Sequence, residues 1–523
     1  MELITVRDAV YDFMRQCGAN KWFGNPGSTE LPMLKHFPDD FEYVLGLQEA
    51  TVVGMADGYA QITGRAAFVN LHSAAGIGNA MGNIYTAFKN QTPMVIVAGQ
   101  QSRGIQQFDA YLNSKQASEL PKPYVKWSIE PARAQDVPAA IARAYYTAMQ
   151  VPRGPVLVSV PADDWDELST HVHLRELCAA VKPELSAVQA LAARLREAHR
   201  PALIVGAAID RDNAWEQTVA IAERLGAAVF VAPLSCRCSF PEDHPNFQGF
   251  LPGVRDQICQ RLDGYDEILI VGAPAFTYHV DGEGPHIPPT SRLSMLTDDA
   301  EIATWAPVGD ALICGIKGGL VSLLEQLEET SAIAAPKRAD PSPVDDTTMS
   351  AALVMKSLAK VRLPNDIFVE EAPTTRVVIH EHLPMLKPRS FFTMASGGLG
   401  FGMPAATGIA MGSPATRVIN IIGDGSAMYS PQAIWTAVQH QLNVKFLVIN
   451  NRRYAALKRF AGVLKFPADS KLVGTELPGL DFVSLARSYG CPAIRIETTG
   501  ELERELKTAI DGEGPMLLEI VVP

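Results

Sequence analysis

Short apolar runs recur along the chain, bounded by glycine, proline or polar residues, with amphipathic or small-residue segments between them. Residues 417–451, RVINIIGDGSAMYSPQAIWTAVQHQLNVKFLVINN, show the pattern most clearly. Residues 418–422 form an apolar, β-branched run of the kind that fills a strand buried on both faces. Gly423-Asp424-Gly425-Ser426 breaks that run, Pro431 opens an amphipathic helix, and residues 444–449 return as a second buried strand ending in Asn450-Asn451. The prediction is strand, turn, helix, strand. Two parallel neighbours then deliver Asp424 and Asn451 to one sheet edge, the edge at which open α/β sheets bind ligands.

The same alternation extends to both sides. In a first block, residues 1–180, an opening helix leads to the turn Asn25-Pro26-Gly27-Ser28 and a strand over 43–47 ending at Gln48-Glu49. A Gly- and Ala-rich helix over 50–62, a strand over 66–71, a loop over 72–76, a helix and a strand over 93–99 complete the pattern. His72 lies 23 positions before Val95, and Asp424 lies 22 before Phe446, so the two stretches read as copies of one plan. Residues 161–183 read as a link to a middle block, 181–340, with strands over 202–205, 228–231 and 267–271. Residues 331–348, rich in alanine, proline and charge, read as a linker into a third block, 341–523, which starts its first element near Met349 and ends on a strand over 516–522. The expected class is α/β, three domains with parallel sheets flanked by helices.

Composition narrows the partners. The 523 residues carry a net charge of −12, which argues against a general nucleic-acid or anionic-membrane binder. The seven cysteines have no zinc spacing and read as reduced, mostly buried thiols of a cytoplasmic protein. The N-terminus lacks the pattern of a signal peptide, and no apolar run approaches membrane-spanning length.

A carboxylate, an amide and glycine-freed N–H groups at one sheet edge suit Mg²⁺ carrying a diphosphate. Gly423-Asp424-Gly425 followed, after residues 426–449, by Asn450-Asn451 resembles the signature of thiamine-diphosphate enzymes. The stretch LQEATVVGMADGYA around Glu49 resembles the family as well. So do residues 24–28 (GNPGS), 71–76 (LHSAAG) and 272–279 (GAPAFTYH), which place the chain near its 2-oxo-acid decarboxylases over essentially the whole length.

The resemblance implies a pyruvate-decarboxylase-like architecture and specific roles. Asp424, Asn451 and the backbone carbonyl of Arg453 would hold Mg²⁺, with Ca²⁺ or Mn²⁺ able to substitute. Gly397, Gly423, Gly425, Ser426 and Tyr454 would surround thiamine diphosphate, and Leu399 would press beneath it and bend it. Glu49, partly buried at a strand end, would exchange a proton with the aminopyrimidine ring and so promote the ylide. Ser28 would hydrogen-bond the substrate carboxylate or the developing oxyanion, His72 would orient substrate and shuttle protons, and His279 would deliver a proton after CO₂ leaves. Leu112, Leu457, Phe460 and Leu464 are the candidate pocket walls.

The implied reaction is the decarboxylation of benzoylformate to benzaldehyde and CO₂, in a homotetramer built as a dimer of dimers with active sites at dimer interfaces. Alternatives are a decarboxylase or carboligase of aliphatic or branched 2-oxo acids, an acetohydroxyacid-synthase-like enzyme with a flavin, and an inactive scaffold of the same fold. Arg452-Arg453 after the asparagines, Thr393-Met394, Glu371-Ala372-Pro373-Thr374 and the bulky Tyr111 depart from the family pattern. The other histidines, His171, His173, His380 and His382, read as surface or structural.

Overall fold

The computed structural model describes residues 3–327, 340–467 and 469–523. Half of the expected linker over 331–348, residues 331–339, lies outside them. The chain forms two compact units. One comprises Met1–Leu177, Asp345–Val377 and Ser396–Pro523; the other comprises Cys178–Val344 and Val378–Ala395.

The first unit opens with α1 (Val6–Gln16), whose start is capped by the Thr5 hydroxyl accepting from the Asp8 N–H at 3.1 Å. Its first parallel sheet contains β1 (Lys21–Gly24), β2 (Glu42–Leu45), β3 (Ala67–Leu71), β4 (Met94–Gln100), β5 (Ser128–Ile129) and β6 (Pro155–Pro161), in the order β2-β1-β3-β4-β6-β5. Alternate residues sort to two faces. Trp22, Phe68, Val95, Val97, Val156 and Val158 pack with α1, while Phe23, Val69, Leu71, Ile96 and Leu157 pack with α2 (Glu49–Thr63). A third helix, α3 (Ser73–Lys89), joins β3 to β4.

The second sheet of this unit contains β13 (Ile367–Glu371), β14 (Val418–Gly423), β15 (Val444–Asn450), β16 (Ala493–Ile496) and β17 (Met516–Val521), parallel in the order β13-β14-β15-β17-β16. The strands between, β7 to β12, belong to the other unit. The run β1-β3-β4-β6-β5 follows the same permutation as β13-β14-β15-β17-β16. The turn after β3, with His72, therefore occupies the place of the turn after β14, with Asp424, as the matching offsets predict.

The small residues of α2 have a packing reason. A Cβ at Gly58 would sit 2.1 Å from the Ala405 carbonyl oxygen, and one at Gly408 would sit 1.9 Å from that of Met55. α2 and α4 (Gly402–Gly412) therefore meet backbone to backbone. The ends of this pair carry Glu49 on one side and residues 396–401 on the other.

Lys445 on β15 is fully buried, and its Nζ donates to the carbonyls of Gly512 and Gly514 at 2.6 Å each. Burial, helped by the nearby Arg417 charge, pushes its amine from 10.5 down to about 8. Between those values the unfolded chain holds a proton that the folded chain has released. Stability relative to Lys445→Met is therefore expected to rise by about 1–3 kcal/mol as pH increases through that window. Denaturant titrations of both proteins at the two ends of the window measure it, and parallel curves would contradict the buried amine.

The other unit holds β7 (Pro201–Val205), β8 (Ala228–Val231), β9 (Phe247–Phe250), β10 (Glu267–Val271), β11 (Arg292–Thr297) and β12 (Asp310–Ile313), parallel in the order β9-β8-β7-β10-β11-β12.

Several local expectations shift. The loop over 72–76 is the first turn of α3, entered at Ser73 with φ 45°, because small residues follow His72 without a breaker. The break at Asp424 is a short helical turn, Asp424–Ala427, and the helix after Pro431 is Ala433–Gln439. The link over 161–183 contains a strand, Leu168–Thr170, antiparallel to Leu3–Thr5. All seven cysteines are free thiols. Among the described residues no helix is long and apolar enough to cross a membrane.

Candidate active site

Glu49 is the first residue of α2, placed by Gln48, whose side chain accepts from the Thr51 N–H at 3.1 Å. It is only 8% exposed. Oε1 accepts from Asn25 Nδ2 at 3.3 Å and Oε2 from Asn79 Nδ2 at 3.1 Å, so two amides orient the buried carboxyl.

His72 precedes α3, and its Nδ1 lies 2.8 Å from Glu30 Oε2 and 3.1 Å from Thr29 Oγ1. Glu30, 1% exposed, also accepts from the Gly27 N–H at 2.7 Å and from Thr29 Oγ1 at 2.5 Å. A carboxylate facing Nδ1 fixes the ring and leaves Nε2 to face a substrate. A Cβ at Gly27 would lie 2.2 Å from Nδ1, so the Asn25–Ser28 turn needs glycine to pass the imidazole. Ser28 is exposed on that turn. Reading the sequence singled out Ser28 and His72 but missed Thr29 and Glu30, although both follow the motif directly.

At the second sheet edge, Gly423 pairs with Ile449, so β14 and β15 end side by side. Asp424 is 4% exposed. Its Oδ1 accepts from the Gly425 N–H at 2.8 Å, and its Oδ2 accepts from the Arg453 N–H at 3.2 Å. Asn451 Oδ1 accepts from the same N–H at 3.2 Å. Burial pushes the Asp424 carboxyl above its ordinary range, while these backbone N–H groups pull the other way.

Asn450 does different work. Its Nδ2 donates to Glu519 Oε1 at 2.7 Å, and its Oδ1 accepts from the Arg452 N–H at 3.0 Å. That leaves Asn451 as the amide on the Asp424 side. Arg452 adopts φ 59°, left-handed, where a residue without a Cβ would be unstrained.

Two oxygens thus converge on the peptide whose next carbonyl belongs to Arg453. This all-oxygen donor set fits a hard cation such as Mg²⁺. Among the described residues no cluster of three His, Cys, Asp or Glu side chains offers another metal site. The backbone cradle also fits a diphosphate. A Cβ at Gly423 would meet nothing closer than 3.9 Å, and one at Gly425 would strike the Tyr454 ring at 2.2 Å.

Leu399 is partly buried on a loop where Gly397 and Gly400 take φ 73° and 104°. Glu371, fully buried at the end of β13, accepts from the Gly400 N–H at 2.7 Å and from the Gly402 N–H. Burial pushes its carboxyl up to about 8; the Gly400, Gly402 and Phe401 N–H groups lower it, and the neighbouring Glu370 charge adds to the rise.

Of the candidate walls, Leu112 and Phe460 are partly buried, while Leu457 and Leu464 are 53% and 60% exposed. Leu457 and Leu464 therefore stand open to solvent in the single chain. Tyr111 is exposed. In the other unit, the His279 N–H donates to the Gly253 carbonyl at 2.8 Å, and His279 lines a cavity of about 300 Å³ with Arg255, Tyr278 and His286. His380, read as surface or structural, is buried with its Nδ1 2.8 Å from Glu242 Oε1.

One sheet edge thus carries a buried acid and the other carries paired oxygens beside a glycine-lined turn. Family models for thiamine pyrophosphate enzymes match residues 4–120 (N-terminal TPP binding domain), 188–326 (central domain) and 373–520 (C-terminal TPP binding domain). The chain belongs to the thiamine pyrophosphate enzymes. It is 43% identical to benzoylformate decarboxylase of Pseudomonas aeruginosa over 523 residues, 99% of this chain and 98% of that protein. The crystal structure of benzoylformate decarboxylase from Polynucleobacter necessarius matches with a TM-score of 0.96 at 39% identity, over 99% of this chain and 98% of that one. The thiamine diphosphate-dependent 4-hydroxybenzoylformate decarboxylase of Rhodococcus jostii RHA1 matches with a TM-score of 0.95 at 38% identity, over 99% of each chain.

Proposed function

We propose that this protein decarboxylates benzoylformate to benzaldehyde and CO₂, using thiamine diphosphate and Mg²⁺. The observation that carries the reading is the full-length likeness to benzoylformate decarboxylase. Bound thiamine diphosphate supplies a nucleophilic carbon and a cationic ring that takes up the electron pair released as CO₂ departs.

The chain's residues bind, orient and move protons. Asp424, Asn451 and the Arg453 carbonyl would hold the cation, and Gly423, Gly425, Ser426 and Tyr454 would frame the diphosphate. Glu49, steadied by Asn25 and Asn79, is the acid that would exchange a proton with the bound aminopyrimidine, and Gly397 and Leu399 would lie against the ring system. Ser28 donates to the substrate carboxylate. His72, fixed by Glu30, presents Nε2 to the substrate carbonyl, and His279 delivers the proton that replaces the lost carboxylate. Decarboxylation disperses charge, so walls made by Leu112, Leu457, Phe460 and Leu464 favour it by excluding water.

The domains on this reading are 1–180, 181–340 and 341–523, in a cytoplasmic enzyme. Glu49 of one copy serves the cofactor held by Asp424 of a second, within a homotetramer built as a dimer of dimers. The partial exposure of Leu457 and Leu464 in the single chain supports walls completed by that second copy.

The test is turnover with added thiamine diphosphate and Mg²⁺. kcat/KM for benzoylformate is expected to exceed that for 3-methyl-2-oxobutanoate by about 100-fold, since the apolar walls favour the larger planar ring. A preference for the branched aliphatic acid would reject the substrate, and a yellow purified protein would point to the flavin-containing alternative.

A further inference from the structure

We propose that Glu371 and Asn83 are positioning residues that grip the Gly400 peptide from its two sides and so fix Leu399 for its contact with the cofactor. The inference rests on the cofactor reading above and assigns work to two residues that no motif covers.

The Gly400 N–H donates to Glu371 Oε1 at 2.7 Å, while the Gly400 carbonyl accepts from Asn83 Nδ2 at 3.1 Å. Glu371 Oε2 takes the Gly402 N–H, so one carboxyl bridges the end of the loop and the start of α4. Asn83, 2% exposed on α3, also donates to the Ala50 carbonyl at 2.6 Å, next to Glu49. The other end of the loop is tied as well. Thr86 Oγ1 and Ser396 Oγ are 2.8 Å apart, and Ser396 Oγ accepts from the Gly398 N–H at 3.0 Å.

Leu399 thus stands between two anchored points. Its own glycines would leave the loop soft: Gly397 and Gly400 both have positive φ, and a Cβ at Gly397 would meet nothing within 4 Å. The stiffness comes from outside the loop. The fit at Glu371 is close, because a Cβ at Gly402 would lie 2.9 Å from the Glu371 Cβ. A carboxyl buried this deeply loses its hydration, and the peptide N–H groups it receives replace that loss.

Glu371→Gln keeps the shape but turns one acceptor into a donor facing a peptide N–H. Asn83→Ala removes the grip on the opposite side. In cofactor-free protein, amide hydrogen exchange at Gly400 and Gly402 is expected to speed up at least 10-fold in Glu371→Gln, with exchange in β14 and β15 unchanged. With thiamine diphosphate and Mg²⁺, both variants are expected to bind cofactor within about threefold of the unaltered protein, because Asp424 and Asn451 are untouched. Exchange of the cofactor C2 proton, measured per bound cofactor, is expected to fall about 10-fold or more. A double-mutant cycle with Leu399→Ala supplies the test of route: Glu371→Gln should add less than about threefold to the loss in Leu399→Ala.

Multiplicative losses would show that Glu371 acts independently of Leu399 and overturn the proposal. So would C2 exchange in both variants within twofold of the unaltered protein. If the unaltered protein bound no thiamine diphosphate, the cofactor reading itself would fall, whereas unchanged Gly400 exchange in Glu371→Gln would sink only the grip.

Discussion

Asp424→Ala is expected to weaken Mg²⁺-dependent retention of thiamine diphosphate by at least about 100-fold. Loss of a group that merely orients a metal ligand costs about 10–100-fold in affinity, and Asp424 is proposed as a ligand. The substitution also strips the Gly425 and Arg453 N–H groups of an acceptor. The measurement is cofactor remaining after gel filtration at millimolar Mg²⁺, beside a thermal melt that reports the fold. Full retention in a folded variant would contradict the metal assignment. Asn450 sharpens the comparison: its bond to Glu519 lies within the sheet, so Asn450→Ala should lower stability more than Asn451→Ala and cofactor retention less.

Glu49→Gln is expected to bind the cofactor within about threefold of the unaltered protein while kcat falls by about 100- to 10,000-fold, the range for loss of a placed proton-transfer group. The glutamine still meets Asn25 and Asn79, whose amides can reorient to accept as well as donate. The fold around α2 should therefore survive, and the defect should sit in kcat rather than in binding. Activity within threefold of the unaltered protein would remove Glu49 from proton transfer.

The sheets were legible because buried parallel strands announce themselves as short, mostly apolar runs rich in β-branched residues. The strands predicted over 228–231 and 267–271 have those bounds in the structure, and the run over 418–422 is extended only by Gly423. Turns were legible where glycine marked them and obscure where it did not. His72-Ser73-Ala74-Ala75 looked like a loop because serine and alanine carry no periodicity, yet α3 begins at Ser73.

The candidate residues at strand ends, Glu49, Asp424 and Asn451, were singled out by motif and spacing. The residues behind them were not. Glu30 and Glu371 are acids next to polar or proline-containing segments, where composition alone suggests a solvated surface, and only the fold reveals that both are buried. Asn79 and Asn83 lie inside a helix, and nothing local shows that their amides reach other elements. Leu457 and Leu464 are a different case. Their apolar character made them candidate walls, and the single chain leaves them exposed.

The seam where Gly58 lies against Ala405 and Gly408 against Met55 has a consequence for recombination. Two rods in backbone contact have no soft side chains to absorb a mismatch, so a shift in one is passed to the other. Chimeras that take the amino-terminal third from one parent and the carboxy-terminal third from another will register poorly unless both rods share a parent. Crossover points are better placed in segments outside this paired framework, so that both rods of the seam are inherited as a matched set.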